Sequence, residues 1–428
     1  MFRIVLILCV LFYYSLSMVS AEESSSQKVV TLKECIAETL TKSPLVTYSV
    51  SDIEEKQQAL EATKLNRLPF ASFQYGHTFQ PDASTSDHYF YYSFTIEQPV
   101  YTGRSITTAI EIGGLNVMYS NSSYRKTKND IVYKVHQAYF DFLRAKKFED
   151  IAQQSLLQLQ SHFKDANAFF EAGLIPKNDL LLSDLQLAQG GQDLLKAQNS
   201  VQLSQAALNL LMKKPVDSTL LIQDVPDFIP RLTTWNELVA KANTERAEIS
   251  QAEIAVQLAE KNITAVKSAY LPTVAVSASY MRQGDHPLAE SYQFGASEVK
   301  TMEATARWRF WTWRQNRYKE EEAIRSMSKA RDLRENLIDS ILLELRQAFL
   351  TMQQSEKNIA LSRQAIEQAK ENYRISEARY LAQLSTSTEV LDANTLLLRS
   401  QTNYYNALYE YNLAWAAIDR ATGTLADY

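Results

Sequence analysis

From Ala296 to Thr422 the chain runs 127 residues without a glycine or a proline. Nothing in that stretch forces a break, and its commonest residues, Ala, Leu, Gln, Glu, Arg and Lys, are good helix formers. At about 1.5 Å per residue, helices drawn from it far exceed those of ordinary globular domains. The whole 428-residue chain holds only 10 glycines and 10 prolines, against usual shares of about 7% and 5%. A few very long helices are therefore expected, rather than the two or three compact domains that length alone suggests.

The N-terminus has the form of an export signal. One charge at Arg3, an apolar run from Ile4 to Tyr14 and small residues ending at Ala21 predict a signal peptide over residues 1–21. The run is too short for a stable bilayer-spanning helix, which needs about 20 residues; a membrane anchor is the alternative reading. No later segment is long and apolar enough to span. Cys9 lies inside the apolar run and Cys35 well beyond it, so neither is placed for lipid attachment and no disulfide is expected in the mature chain. A net charge of −5 argues against a nucleic-acid partner.

The chain also repeats itself. Shifted by about 203 residues, Leu32 to Ala37 falls on Trp235 to Ala240, and Leu68-Pro69 on Leu271-Pro272; shifted by about 210, Gln137-Ala138 falls on Gln347-Ala348, and Leu174, Leu181 and Leu187 on Leu384, Leu391 and Leu397. An internal duplication accounts for this register. The expected units are residues 22–213 and 232–428, joined by a proline-containing linker at 214–231. Each unit would hold a lead helix, a β-hairpin (70–98; 273–311) and a long helical hairpin (105–212; 315–422).

The predicted strands alternate. In one, Phe90, Tyr92, Phe94 and Ile96 oppose Tyr91, Ser93, Thr95 and Glu97; in another, Phe73, Tyr75 and Phe79 oppose Ser72, Gln74 and Thr78; Trp308 and Phe310 close a third such run. Period-two alternation over about ten residues, with aromatics near the ends, is what a lipid-facing barrel strand shows. A soluble antiparallel sheet with one buried face fits the same pattern, but the export signal and the lack of another apolar segment to cover the sheet favour lipid. Four strands cannot close a transmembrane barrel, and open edges are forbidden in lipid. A membrane sheet must then pool strands from several chains.

Leu342, Leu345, Phe349, Met352, Ile359, Ile366, Tyr373 and Tyr380 recur at three, four or seven, the spacing of a coiled-coil seam. Turns are expected at Ala172-Gly173-Leu174-Ile175-Pro176 and at Leu384-Ser385-Thr386-Ser387-Thr388. Each restarts a helix with an acid in its first turn, Asp179 or Glu389, where the helix dipole favours it.

With these pieces in place, the chain resembles the TolC-type outer-membrane efflux protein family over nearly all of its mature length. The resemblance rests on Leu32 to Pro44, the Leu-Pro before each hairpin, Gln98-Pro99-Val100-Tyr101-Thr102-Gly103-Arg104, Ala172-Gly173-Leu174 with Asp179, and Ser387-Thr388-Glu389-Val390-Leu391-Asp392-Ala393. It implies a homotrimer whose twelve strands form one outer-membrane barrel, continued by a long antiparallel α-helical coiled-coil barrel in the periplasm. It further implies a periplasmic adaptor (membrane fusion) protein and an inner-membrane RND, MFS or ABC transporter as partners, with outer-membrane lipid around the strands. Glu389 and Asp392 match the family's acidic entrance constriction, although the family often has aspartate at the first position. Gly173, Leu174, Leu384 and Ser385 match the tip turns that adaptors grasp. Trp313-Arg314 replaces the family's glycine-containing corner, so a different corner is expected there.

Glu389 and Asp392 also admit a plainer reading, as a dipole complement and a shared helix face. The histidines (His77, His88, His136, His162, His286) show no metal-ligand spacing, and His88 and His286 are placed in surface loops. No phosphate loop, nucleophile elbow or paired-cysteine motif occurs, so neither an enzyme nor a cofactor is expected. The expected function is the outer-membrane duct of a tripartite efflux pump. A type I protein secretion duct and an exported coiled-coil protein without a pore are the alternatives.

Overall fold

A computed structural model describes residues 29–80, 87–224, 228–290 and 298–425. The expected signal segment, 1–21, lies outside them. Helices α1 (Leu32–Lys42) and α2 (Pro44–Leu65) lead into β1 (Phe70–Gln80) and β2 (Asp87–Tyr101), then α3 (Ser105–Glu171) and α4 (Lys177–Leu211). The second half gives α5 (Trp235–Glu245), α6 (Ala247–Lys267), β3 (Thr273–Gly284), β4 (Glu298–Arg307), α7 (Gln315–Leu381) and α8 (Ser387–Thr422).

Corresponding parts start alike. Thr31 and Thr234 each accept from the backbone N–H three residues on, while Glu34 and Glu237 return the bond to the cap backbone. These two capping boxes satisfy otherwise orphaned donors at both lead helices. They also end alike. After α3 the N–H of Leu174 donates to Phe169 O at 2.8 Å, and after α7 that of Leu384 donates to Arg379 O at 2.8 Å. Each closure needs a residue at positive φ, Gly173 (74°) in one case and Gln383 (57°) in the other, which is the Schellman geometry.

Helices α3 and α7 are both 67 residues long, about 100 Å each. Each folds back on a shorter partner, α4 or α8, and α3 also packs along α8, so the two hairpins lie side by side. Among the described residues no helix is long and apolar enough to cross a membrane. The core is strung out along the helices. One cluster joins α5 to α8 around Leu345, Phe349, Met352 and Trp415. A second joins α1, α3, α4 and α8 around Val135, Tyr139, Phe142 and Leu208, with the linker residues Leu220 and Ile222. A third, smaller cluster lies at the far tip, around Tyr373, Tyr380, Val390 and Leu397. Leu345, Phe349, Met352, Ile359, Tyr373 and Tyr380 of the expected seam are all buried, with Leu342 and Ile366 half-buried at its margin.

The strands form one antiparallel sheet in the order β1-β2-β3-β4. Pro99 stands in the central strand β2, where it can donate no ladder hydrogen bond. The register slips just there, between Pro99 and Tyr101, because proline is tolerated in a central strand only at such a bulge.

Two expectations about the second hairpin change. The alternating pattern ran on through Trp308 and Phe310, but β4 ends at Arg307, opposite Thr273. Pairing stops because the next residue on β3's side is Pro272, which has no N–H to give. The corner at Trp313-Arg314 keeps the geometry of its glycine-containing counterpart. Gly103 and Arg104 sit at φ 59° and 70°, and Trp313 and Arg314 at 48° and 65°. Tryptophan there holds a left-handed conformation that costs about 1–2 kcal/mol. At Gly103 the same exchange would cost more, since an added Cβ would stand 2.9 Å from Ser268 O and something must shift.

Candidate functional site

The sheet register decides which side chains share a face. Phe73 lies opposite Phe94, Tyr75 opposite Tyr92 and His77 opposite Phe90. Across the next ladder Phe94 meets Tyr280 and Ile96 meets Ala278, and Ala278 and Val276 meet Met302 and Ala304 on β4. This face is uncovered and mostly apolar, with Arg282, Lys300 and Glu298 at its end away from the helices: Phe73, Phe94, Ile96 and Met302 are 68%, 46%, 43% and 86% exposed. Phe90 and Tyr92 belong to it and are half-buried by their neighbours. The other face carries Gln74, Ser93, Thr95, Glu97, Ser277, Ser279, Glu303 and Thr305. Trp308 and Phe310 lie past the strand end and are exposed at 60% and 79%. The Trp308 indole N–H donates to Tyr270 O at 3.0 Å.

His88 is a strand residue and not a loop residue as expected. Its ring stacks on Phe79 at 4.6 Å and on His77 at 5.6 Å, at the sheet end away from the helices. His286 does lie beyond β3, where its carbonyl accepts from Ala289 N–H at 2.7 Å.

At the opposite end of the molecule, about 100 Å of helix away, the acids of α8 come into view. Glu389 and Asp392 are exposed, while Val390, Leu391, Ala393, Asn394 and Leu397 point into the packed seam. Both acids thus share the uncovered stripe of α8, with Thr395, Leu396 and Arg399. Glu389 faces Arg379, with Oε2 3.7 Å from Nη1. Asp392 has no cation within 4 Å among the described residues. The tip turns present exposed apolar groups, Leu174 at 54% and Leu384 at 70%. Arg379 Nη2 donates to Leu384 O at 3.1 Å, and Ser385 Oγ to Ser376 O at 3.4 Å, so the second turn is braced by its own helix.

Sequence reasoning missed a buried polar seam behind these acids. His162 of α3 lies 2.7 Å from Ser387 Oγ of α8, which in turn lies 3.0 Å from Ser183 Oγ of α4. One heptad further along, Asn394 Nδ2 donates to Ser155 Oγ at 3.2 Å. Burial holds the His162 imidazolium form down, with Asp165 pulling weakly the other way. No sequence signal could have revealed the pair, since His162 and Ser387 are 225 residues apart. Among the described residues no group of three or more His, Cys, Asp or Glu could hold a metal ion.

Comparison with known proteins agrees with this architecture. A family model described as outer membrane efflux protein matches residues 41–212 and 238–424. The outer membrane protein TolC of Vibrio cholerae is 23% identical over 329 residues, covering 76% of this chain and 74% of that protein. Among solved structures, the outer membrane channel CmeC of Campylobacter jejuni superposes with a TM-score of 0.80 at 13% identity, covering 92% of this chain and 85% of that one. The outer membrane protein VceC of Vibrio cholerae gives 0.79 at 17% identity, covering 92% and 96%. The match spans both halves in order, strands and long helices alike, and the chain belongs to the outer membrane efflux protein family.

Proposed function

We propose that the chain is the outer-membrane duct of a tripartite efflux pump, conducting small molecules passively while an inner-membrane transporter supplies the energy. The observation that carries this is the four-stranded sheet with an uncovered, mostly apolar face and, among the described residues, two unpaired edges, β1 and β4. Such edges have no place in lipid unless further strands satisfy them. Three chains would supply twelve strands, enough to close a barrel with an open lumen. The polar face, Ser93 to Glu97 and Ser277 to Glu303, then lines the passage. The matched helices support residues 22–213 and 232–428 as two copies of one unit.

In a trimer the exposed stripe of α8 would bring three copies of Glu389 and Asp392 around one opening. The exposed Leu174 and Leu384 turns are the surfaces for a periplasmic adaptor, and an RND, MFS or ABC transporter would complete the pump. Single-channel recording of the purified protein tests the reading. Cation-selective conductance is expected, and the Glu389→Gln, Asp392→Asn double variant should lose the selectivity. Selectivity and channel size unchanged in that variant would remove the acids from the entrance.

A further inference from the structure

The corner between β4 and α7 carries chemistry that neither the passage nor the tips use. From Trp308 to Lys319 stand Arg309, Arg314, Arg317 and Lys319, with Trp308, Phe310, Trp311, Trp313 and Tyr318 between them and no acid at all. The corresponding stretch of the first half, Gln98 to Ala109, has one cation, Arg104, and one large aromatic, Tyr101. All five aromatics of the second corner are uncovered, with Trp313 at 83%. Trp311 and Trp313 meet edge to face at 5.6 Å, and the Arg314 guanidinium lies 6.0 Å over the Tyr318 ring. Arg317 is held by Glu321 at 3.1 Å. Arg309, Arg314 and Lys319 are exposed and have no carboxylate within 4 Å among the described residues.

We infer that this corner binds anionic phospholipid headgroups of the leaflet that meets the helix side of the sheet, with Arg309, Arg314 and Lys319 as the headgroup cations. The inference rests on the duct reading, which sets the sheet in a bilayer with its helices on one side. Tryptophan rings settle at the headgroup level, and each nearby Arg or Lys favours an anionic lipid surface. The left-handed backbone at Trp313 and Arg314 is strained for such side chains, and it turns both out from the barrel base instead of into a core. Strand pairing with a second copy of the chain does not account for the patch. Pairing between neighbours runs along β4, and β4 ends at Arg307, one residue before the corner begins.

The test uses the full chain in phosphatidylcholine vesicles containing an equal fraction of bromine-labelled phosphatidylglycerol or bromine-labelled phosphatidylcholine. Tryptophan fluorescence reads which lipid sits at the corner, and conductance reads insertion. At low salt the anionic label should quench about two-fold more strongly than the zwitterionic one. The preference should vanish in 1 M NaCl, where the Debye length falls to about 3 Å. It should also vanish in the Arg309→Gln, Arg314→Gln, Lys319→Gln variant, with conductance retained. Equal quenching by both labels, or a preference that survives high salt or the triple variant, overturns the inference while leaving the duct standing. Conducting protein with no quenching by either label means the corner is covered by a second copy, and overturns it as well. Protein that neither inserts nor conducts overturns the duct reading, and this inference with it.

Discussion

Glu389 and Asp392, proposed above as entrance acids, are not equivalent, and their inequality can be measured. Glu389 shares its charge with Arg379 across 3.7 Å, both side chains about half exposed. A passing ion several ångströms away therefore meets mainly a dipole. Asp392, three residues' rise closer to the seam cluster of Leu397, lies on the same stripe with no cation within 4 Å among the described residues. A carboxylate about 6 Å from a cation attracts it by about 0.7 kcal/mol in water-like surroundings. Three copies give about 2 kcal/mol, and screening over a Debye length of about 8 Å leaves about half of that. Asp392→Asn should then lower the cation-over-anion permeability ratio at least about five-fold in physiological salt, the attraction of the cation alone giving that factor, whereas Glu389→Gln should change it less than two-fold. Arg379→Gln should raise the ratio by freeing Glu389. Reversal potentials under a KCl gradient across a planar bilayer report all three. An effect of Glu389→Gln equal to or larger than that of Asp392→Asn would refute the reasoning.

Ser387→Ala strips His162 Nε2 of its partner, while Ser183 keeps its bond to Asp179 O. A cost of about 1–3 kcal/mol is expected, seen as faster amide exchange at the tips, and unchanged exchange would discount the seam. Burial pushes His136 down to about 4 and His162 below the usual histidine range. Both are neutral in the fold and bind protons on unfolding, so stability is full above about pH 6.5 and falls as the pH drops toward 4. His136 alone accounts for up to about 3 kcal/mol of this, and thermal midpoints in His136→Gln should decline less steeply over that window than in the parent. Gly103→Ala places a Cβ 2.9 Å from Ser268 O at a φ of 59°. A loss of at least about 2 kcal/mol is expected in denaturant unfolding, and a neutral result would show that the corner can shift.

Much of the architecture was legible because it follows from local rules. Absence of glycine and proline gave the long helices, and Pro69 and Pro272 marked the ends of the lead helices. Alternation gave the correct faces for Phe73, Phe90, Tyr92, Phe94 and Ile96. It failed at Trp308 and Phe310, where strand length depends on what the neighbouring strand can pair, and Pro272 cannot donate. The corner at Trp313 was misread for a related cause. Glycine is the easiest residue at positive φ but not the only one, and the start of α7 imposes the turn regardless. The His162–Ser387–Ser183 contact was out of reach, since three helices must dock before those side chains meet. Glu389 and Asp392 were singled out by pattern. Their different surroundings needed Arg379, which lies on the facing helix α7.

On the proposed reading one chain is too few to close a barrel. Among the described residues the sheet has four strands, an uncovered face and two unpaired edges, and on the proposed reading three chains pool twelve strands. The native mass of the protein extracted from outer membranes in mild detergent tests this directly. The account predicts a species of three chains that resists the detergent and falls to single chains on heating. A folded single chain in the soluble periplasmic fraction would contradict it.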